Sequence, residues 1–284
     1  MRILCAGLAT VDLIQRVQRL PGVDEKVQSD SVDVAAGGPA TNAAVTAATL
    51  GAPLGIEVVL VSAVGAHPLG DLIRADLAAH GVTLIDTTPT STDPPPISAV
   101  TVLSGTGERT IVSRNAGTRN AALPENGLPD ADLTLVDGHH PILSTAAARS
   151  ARRLLVDAGS WRPAFADIIP HAEVVACSAD FRHPGASPEN GDAALAEAVG
   201  APFVVVTHGA APVRWFSTNP PAHGAILVPP VPAVDTAGAG DAFHGALAVA
   251  LAQHQDLPAA ISYAIRVAGV RVTHAGPRTW LKFL

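Results

Sequence analysis

Six runs of near-continuous apolar residues punctuate the chain, at 3–6, 58–64, 133–136, 154–156, 174–176 and 203–206. They are short, rich in β-branched residues and free of polar alternation, which suits strands buried on both faces. Between them lie alanine-rich stretches with helical spacing, at 40–50, 69–80, 145–152, 192–199, 242–253 and 258–273. Strand and helix in alternation predict an α/β fold, a doubly wound and mostly parallel sheet flanked by helices. The helix at 145–152 runs into the next strand without turn residues, so the pattern leaves that boundary open.

Two regions break the rhythm. Residues 25–34 alternate as a half-buried strand does; 97–103 and 109–114 flank a glycine turn at 105–107 and predict a hairpin. Neither joins naturally to a parallel sheet. They predict a small β-sheet lid from about 12–35 and 86–116, within a single domain spanning 1–284 whose core comes from the remainder. Ligands of open α/β sheets bind outside the carboxyl ends of the strands, where such a lid would lie. The TTPTSTDPPP stretch at 87–96 reads as its hinge.

Composition narrows the class. Apolar residues make up 48% of the 284, enough for a sizeable core, and no apolar run reaches the roughly 18–20 residues of a membrane span. The start, MRILCAGLATVD, meets Asp12 too soon for a signal peptide and reads as a first strand, so a cytoplasmic protein is expected. Cys5 and Cys177 lie in apolar runs and read as buried reduced thiols. The net charge is −7, Lys26 and Lys282 are the only lysines, and the arginines are scattered. No nucleic-acid surface is expected from that distribution.

The chemistry concentrates in two glycine-bearing helix starts. Asp235-Thr236-Ala237-Gly238-Ala239-Gly240-Asp241 precedes a helix whose apolar face carries Phe243, Ala246, Leu247, Ala250 and Leu251. The first amides of a helix lack partners and carry partial positive charge, so Gly238, Ala239 and Gly240 suit the close approach of an anion. Asp241 stands where it could accept a proton from a hydroxyl; an ordinary N-cap would use the same residue type. The second start is GGPATNAAVTAATLG at 37–51. Pro39 suits a first helical turn and Gly51 a helix end. Gly37 and Gly38 expose backbone amides, and Asn42 offers a donor and an acceptor, the mixture a polyol requires; a plain turn with an Asn in the first helical turn fits as well. Asp12 follows an apolar strand, as turn acid or hydroxyl acceptor. Thr207 and Gly209 follow another strand, at the correct end for phosphates.

No GxxxxGK[ST] and no strand-borne GxGxxG occurs, which excludes a P-loop and leaves a dinucleotide fold unsupported. His139 and His140 after Asp137, with His67, hint at a metal but read better as rim residues or substrate contacts, since no carboxylate-spaced set completes a site.

Together the two segments resemble the N- and C-terminal signatures of the PfkB/ribokinase family of sugar and nucleoside kinases, and the likeness spans essentially the whole chain. It implies a ribokinase-like fold that uses ATP and Mg²⁺ to phosphorylate an alcohol on a small sugar. Asp241 would be the catalytic base, with Gly238, Ala239 and Gly240 as the anion hole. Asp12, Gly37, Gly38, Asn42 and Arg109 would grip the substrate, and Thr207, Gly209 and Ser178 would serve the nucleotide. Asp235 and Ala237 match positions near a monovalent-cation site of some members, which raises K⁺ as a further cofactor. His67 stands where the family often has Asp, and the family's Asn-x-x-Glu becomes Ser178-Ala179-Asp180-Phe181. Such erosion resembles ketohexokinase-like and sulfofructose-kinase-like members and tilts the expected acceptor toward a ketose or modified sugar. The alternatives are a nucleoside kinase, or a sugar- or nucleotide-sensing protein with weakened catalysis. Unpaired lid edges also suggest a homodimer through the lid.

Overall fold

The computed structural model describes residues 1–117 and 121–284. Its core is a nine-stranded sheet in the order β13-β12-β11-β10-β9-β8-β1-β4-β5. Seven strands run parallel: β1 (Arg2–Ala6), β4 (Glu57–Ser62), β5 (Val82–Asp86), β8 (Leu133–Val136), β9 (Leu154–Ala158), β10 (Val174–Ser178) and β11 (Phe203–His208). The antiparallel hairpin β12 (Ala211–Thr218) and β13 (Pro221–Ile226) extends one edge. Strand order reverses direction between β1 and β8, the position where α/β sheets open a ligand crevice.

Alternate strand residues serve two cores. Ile3, Cys5, Val58, Leu60 and Leu135 face one helix layer, made by α1 (Pro39–Gly51), α2 (Pro68–Ala79), α6 (Ala239–Ala252) and α7 (Leu257–Val272). Leu4, Ala6, Val59, Val61 and Val136 face the other, made by α3 (Pro141–Ser150), α4 (Phe165–Ile168) and α5 (Gly191–Val199). The sheet is therefore dry on both sides, which is why its strands are uninterrupted apolar runs. Helix α3 begins at Pro141, ahead of the expected 145, because proline suits the first turn; three residues separate its end from β9. His67 caps α2, accepting from the Leu69 amide at 3.1 Å, which gives that departure a structural role.

The second sheet has four strands in the order β3-β2-β6-β7: β2 (Thr10–Val17), β3 (Ser31–Gly37), β6 (Ile97–Leu103) and β7 (Arg109–Ser113). It leaves the core at two carboxyl ends, after β1 and after β5. Asp12 was expected at the end of the first strand but lies inside β2, and the predicted strand at 25–34 forms later, at Ser31–Gly37. Strand alternation places Asp12, Ile14 and Arg16 on one face of β2. Ile14, Val100 and Val102 form a small core there.

Helices α1 and α6 cross at close range. A Cβ on Gly245 would stand 2.4 Å from the Ala43 carbonyl oxygen and 2.7 Å from Thr46 Cβ. Replacing Gly245 with Ala should force these helices apart and destabilise the protein by about 1–3 kcal/mol. A thermal scan should show a Tm lower by several degrees; an unchanged Tm would mean that the crossing relaxes freely.

Candidate active site

The starts of α1 and α6 meet in front of the β1 and β8 ends. Gly38 caps α1 with φ +95°, and a Cβ there would lie 2.5 Å from the Leu8 carbonyl oxygen, so only glycine fits the turn. Asp137, buried at the end of β8, organises that turn. Its carboxylate accepts from the amides of Leu8 (2.8 Å), Ala40 (3.2 Å) and His139 (2.9 Å). Burial opposes its charge, but His139 and these amides outweigh it and hold the pKa well below the usual carboxylate range.

Gly238 caps α6 in the left-handed conformation, φ +69°, without help from any side chain. Asp241 is therefore not the cap. Its carboxylate turns away from the helix amides and accepts from Asn42 Nδ2 on α1 at 2.8 Å. The backbone amides of Gly240 and Asp241 have no acceptor among the described residues. A Cβ on Gly240 would meet nothing within 4 Å, so open space lies before this helix start. Two unpaired amides at the positive end of a fourteen-residue helix form a cradle for an anion.

A chain of side chains fixes Asp241. Asn42 Oδ1 accepts from Arg278 at 3.0 Å, and Arg278 also donates to Asp76 at 2.8 Å and to the Ala36 carbonyl at 2.8 Å. Behind Asp241, one helical turn along α6, His244 is buried with Nδ1 3.2 Å from Asp157 Oδ2, out of line for a good hydrogen bond. Burial works against charge on His244, yet Asp157 and then Asp241 raise its pKa above the usual histidine value. For Asp241, burial first and the nearby Asp157 charge second push the pKa up to about 6, against the Asn42 hydrogen bond and His244. A carboxylate so placed is ionised at neutral pH and still a usable proton acceptor.

Asp12 lies across from these groups. A Cβ on Gly37 would fall 2.0 Å from Asp12 Oδ2, so the missing side chain at 37 is what makes room for the carboxylate. Thr10 donates to it at 2.7 Å. Burial raises its pKa, against Thr10, Ser98 and Arg278. Asp12, Asn42 and Gly238 share a small enclosed space of about 40 Å³ with Arg271, Arg278 and Trp280. A concavity of about 1020 Å³ lies against α3 and α4, is lined by Ile142, Arg149 and Arg162, and includes none of these residues.

The other expected positions fall elsewhere. Arg109 sits on β7, but its guanidinium is bonded to the Thr236 carbonyl and hydroxyl, each at 3.0 Å, so the side chain ties the lid to the loop before α6 instead of standing free for substrate. Ser178 Oγ donates to the Gly159 carbonyl at 2.6 Å and accepts from the Asp180 amide at 3.1 Å, which closes a turn. Phe181 is buried against Trp161 and Phe165. Thr207 and Gly209, the latter with φ +62°, lie at the end of β11.

Asp235 and Ala237 do not fit a monovalent cation. The Asp235 carboxylate is 1% exposed and already engaged by Arg16 Nη2 at 2.5 Å and Arg271 Nη2 at 3.2 Å. Burial opposes its ionisation, but Arg271, the Ala237 amide and Arg16 hold its pKa below the ordinary value. A further unit charge about 4 Å from a guanidinium would cost on the order of 4 kcal/mol at an effective dielectric of 20. Arg16, Arg271, Arg278, Asp157 and His244 escaped the sequence reading, for none lies in a spacing that marks it.

A family model described as pfkB family carbohydrate kinase matches residues 1–282. Ribokinase from Bacillus subtilis (strain 168) is 28% identical over 302 aligned positions, covering 97% of this chain and 94% of that protein. Ketohexokinase from Mus musculus is 26% identical over 297, covering 94% and 95%. A solved ribokinase from Thermotoga maritima superposes with a TM-score of 0.78 at 23% identity, covering 98% of this chain and 95% of the other, a likeness that speaks for the fold alone. With a central sheet flanked by helices on both faces, a smaller lid sheet and a family match along nearly its full length, the chain belongs to the pfkB family of carbohydrate kinases.

Proposed function

We propose that the protein transfers the γ-phosphate of ATP to a hydroxyl of a small sugar, with Asp241 as general base and the start of α6 as anion hole. The observation that carries this reading is the pairing of an Asn42-held carboxylate with the open Gly240 and Asp241 amides on one helix turn. A hydroxyl oxygen forms the new bond to phosphorus while its proton passes to Asp241. The bond to the bridging oxygen breaks, and ADP leaves with the electron pair. Charge on the transferring group develops in front of the helix start, where fixed amides are worth about 3 kcal/mol each. Gly238 and Ala239 shape that start; Asp12, Gly37, Gly38 and Asn42 would hold the acceptor's other hydroxyls.

The nucleotide would lie toward the ends of β10 and β11, with Thr207 and Gly209 beside its phosphates. Mg²⁺ would arrive with ATP, held chiefly by phosphate oxygens and water as this ion prefers; among the described residues no group of three or more His, Cys, Asp or Glu side chains is arranged to hold a metal. The acceptor we favour is a ketose or modified sugar, on the likeness of the segment at 235–252. A cytoplasmic setting suits the two buried free thiols, Cys5 and Cys177; among the described residues no helix is long and apolar enough to cross a membrane.

The outer face of the lid supports a dimer. Val34, Leu13, Ala99 and Val112 form one apolar row across all four strands, with Val34 and Val112 exposed. A second copy of this sheet would cover that row.

Asp241→Asn should lower turnover by roughly 10²–10⁴-fold while leaving the fold and ATP binding intact; near-normal turnover would remove Asp241 from the base role. A coupled ADP-release screen over ketoses, aldoses, sugar phosphates, sulfosugars and nucleosides identifies the acceptor. Preference for a nucleoside would replace the sugar reading, and ATP consumption that no acceptor raises would replace it with a sensing role. Because Asp241 must be ionised and burial raises its pKa to about 6, kcat/KM should be flat above pH 7. It should fall about tenfold per unit below pH 6; an acid limb near pH 4 would contradict the assignment. Light scattering should report a dimer for the parent protein and a monomer for Val112→Asp.

A further inference from the structure

The loop that precedes α6 and the stretch that follows α7 turn their oxygens toward one buried spot. The side chain at the centre is Arg271, on the last turn of α7 and 3% exposed. Its Nη1 lies 3.4 Å from the Asp235 carbonyl oxygen and 3.0 Å from the His274 carbonyl oxygen, and its Nη2 lies 3.2 Å from Asp235 Oδ2. The same carboxylate accepts from Arg16 of the lid at 2.5 Å, from the Ala237 amide at 3.0 Å and from the Gly276 amide at 3.3 Å. Two carbonyls and a carboxylate converging on one point are the hard oxygen donors that a bare cation would collect. Here a guanidinium stands among them, supplied by the chain itself.

We propose that Arg271 is a built-in cation: it holds the Asp235–Ala237 loop, and through it the α6 anion hole, in place, so that the enzyme needs no dissociable monovalent ion. An Asp235 carboxylate left uncompensated would turn outward to water and take the Ala237 amide with it, and Gly238 follows directly. Guanidinium is suited to this post because it stays charged under all working conditions and spans several acceptors with a rigid fork. Arg271 touches no reacting atom on this account; it is a positioning residue. Arg16 completes the arrangement from the lid side, so that two fixed charges bracket one carboxylate.

The inference rests on the kinase reading for its activity arm and is independent of it for its stability arm. Melting temperature of the parent protein is measured in KCl, NaCl and choline chloride at one ionic strength, with turnover measured in parallel once an acceptor is known. Equal Tm and equal turnover, within about 1.5-fold, are expected in all three salts. A saturable, K⁺-specific rise in either quantity would overturn the proposal. Arg271→Ala should lose turnover at least tenfold in choline chloride and regain part of it with K⁺ or with millimolar guanidinium chloride, with a matching cation-specific rise in Tm. A folded Arg271→Ala that keeps full turnover in choline chloride, or that neither cation restores, would refute the role. Should that variant fail to fold, Arg271→Lys keeps a tethered charge and is expected to retain at least a tenth of parental turnover without any cation response; a folded Arg271→Lys protein that depends on K⁺ would count against it. If no acceptor is ever found, the Tm series decides the matter alone.

Discussion

Helices α1 and α6 can bring their first turns to one place only because Gly245 lets the two backbones touch and Gly38 lets the α1 start bend under Leu8. Everything chemical in the site hangs on that crossing. Each helix start carries partial positive charge, and two of them facing the same space would repel without anions between them. Asp241 and Asp12 occupy that space, and Asp157 stands behind. Asn42 reaches across the crossing to Asp241, so the distance between the helices sets the orientation of the carboxylate. A shift of about 1 Å at Gly245 would re-aim that carboxylate, and in the proposed reaction misplacement of that size would cost on the order of 10²-fold.

Two aspartates six positions apart, one on the loop before α6 and one in its first turn, are driven in opposite directions. Asp235 is flanked by Arg16 and Arg271 and is held ionised. Asp241 is partly withdrawn from water beside other carboxylates, has only the amide of Asn42 as a direct partner, and its pKa rises. The separation is useful because the two tasks conflict. In the proposed reaction Asp235 is an anchor that never takes a proton, while Asp241 must be ready to. Placing both positive side chains on the first aspartate leaves the second without a strong counter-charge; from behind, Asp157 raises its basicity and His244 offsets part of that rise.

The sheet and its helices were legible because a sheet covered on both faces writes itself as uninterrupted apolar runs between alanine-rich periods. The lid hairpin was legible from alternation and its glycine turn. Strands β5, β12 and β13 were not: β13 is PAHGAI, exposed at most positions and held by pairing instead of by an apolar pattern. The two helix starts announced themselves through glycine and proline, whose conformational demands are local. Arg16, Arg271 and Arg278 left no such mark, since an arginine earns its place through partners 219, 36 and 236 residues away. The bond of Arg109 to Thr236 was equally hidden, since its partner lies 127 residues away.

That last contact shows how the lid and the loop before α6 are joined. Arg109 holds Thr236 by its carbonyl, Thr236 donates its hydroxyl to the Gly107 carbonyl at 3.0 Å, and a Cβ on Gly107 would come within 2.9 Å of Val234. Arg16 adds a buried ion pair to Asp235, the residue that follows Val234. Removing one partner of a buried pair of this kind typically costs about 3–5 kcal/mol. The lid sheet is therefore anchored by the loop that leads into α6, and that loop is anchored by the lid. A movement of the sheet away from the core would have to pull on Asp235 and Thr236, and so on the loop that leads into α6.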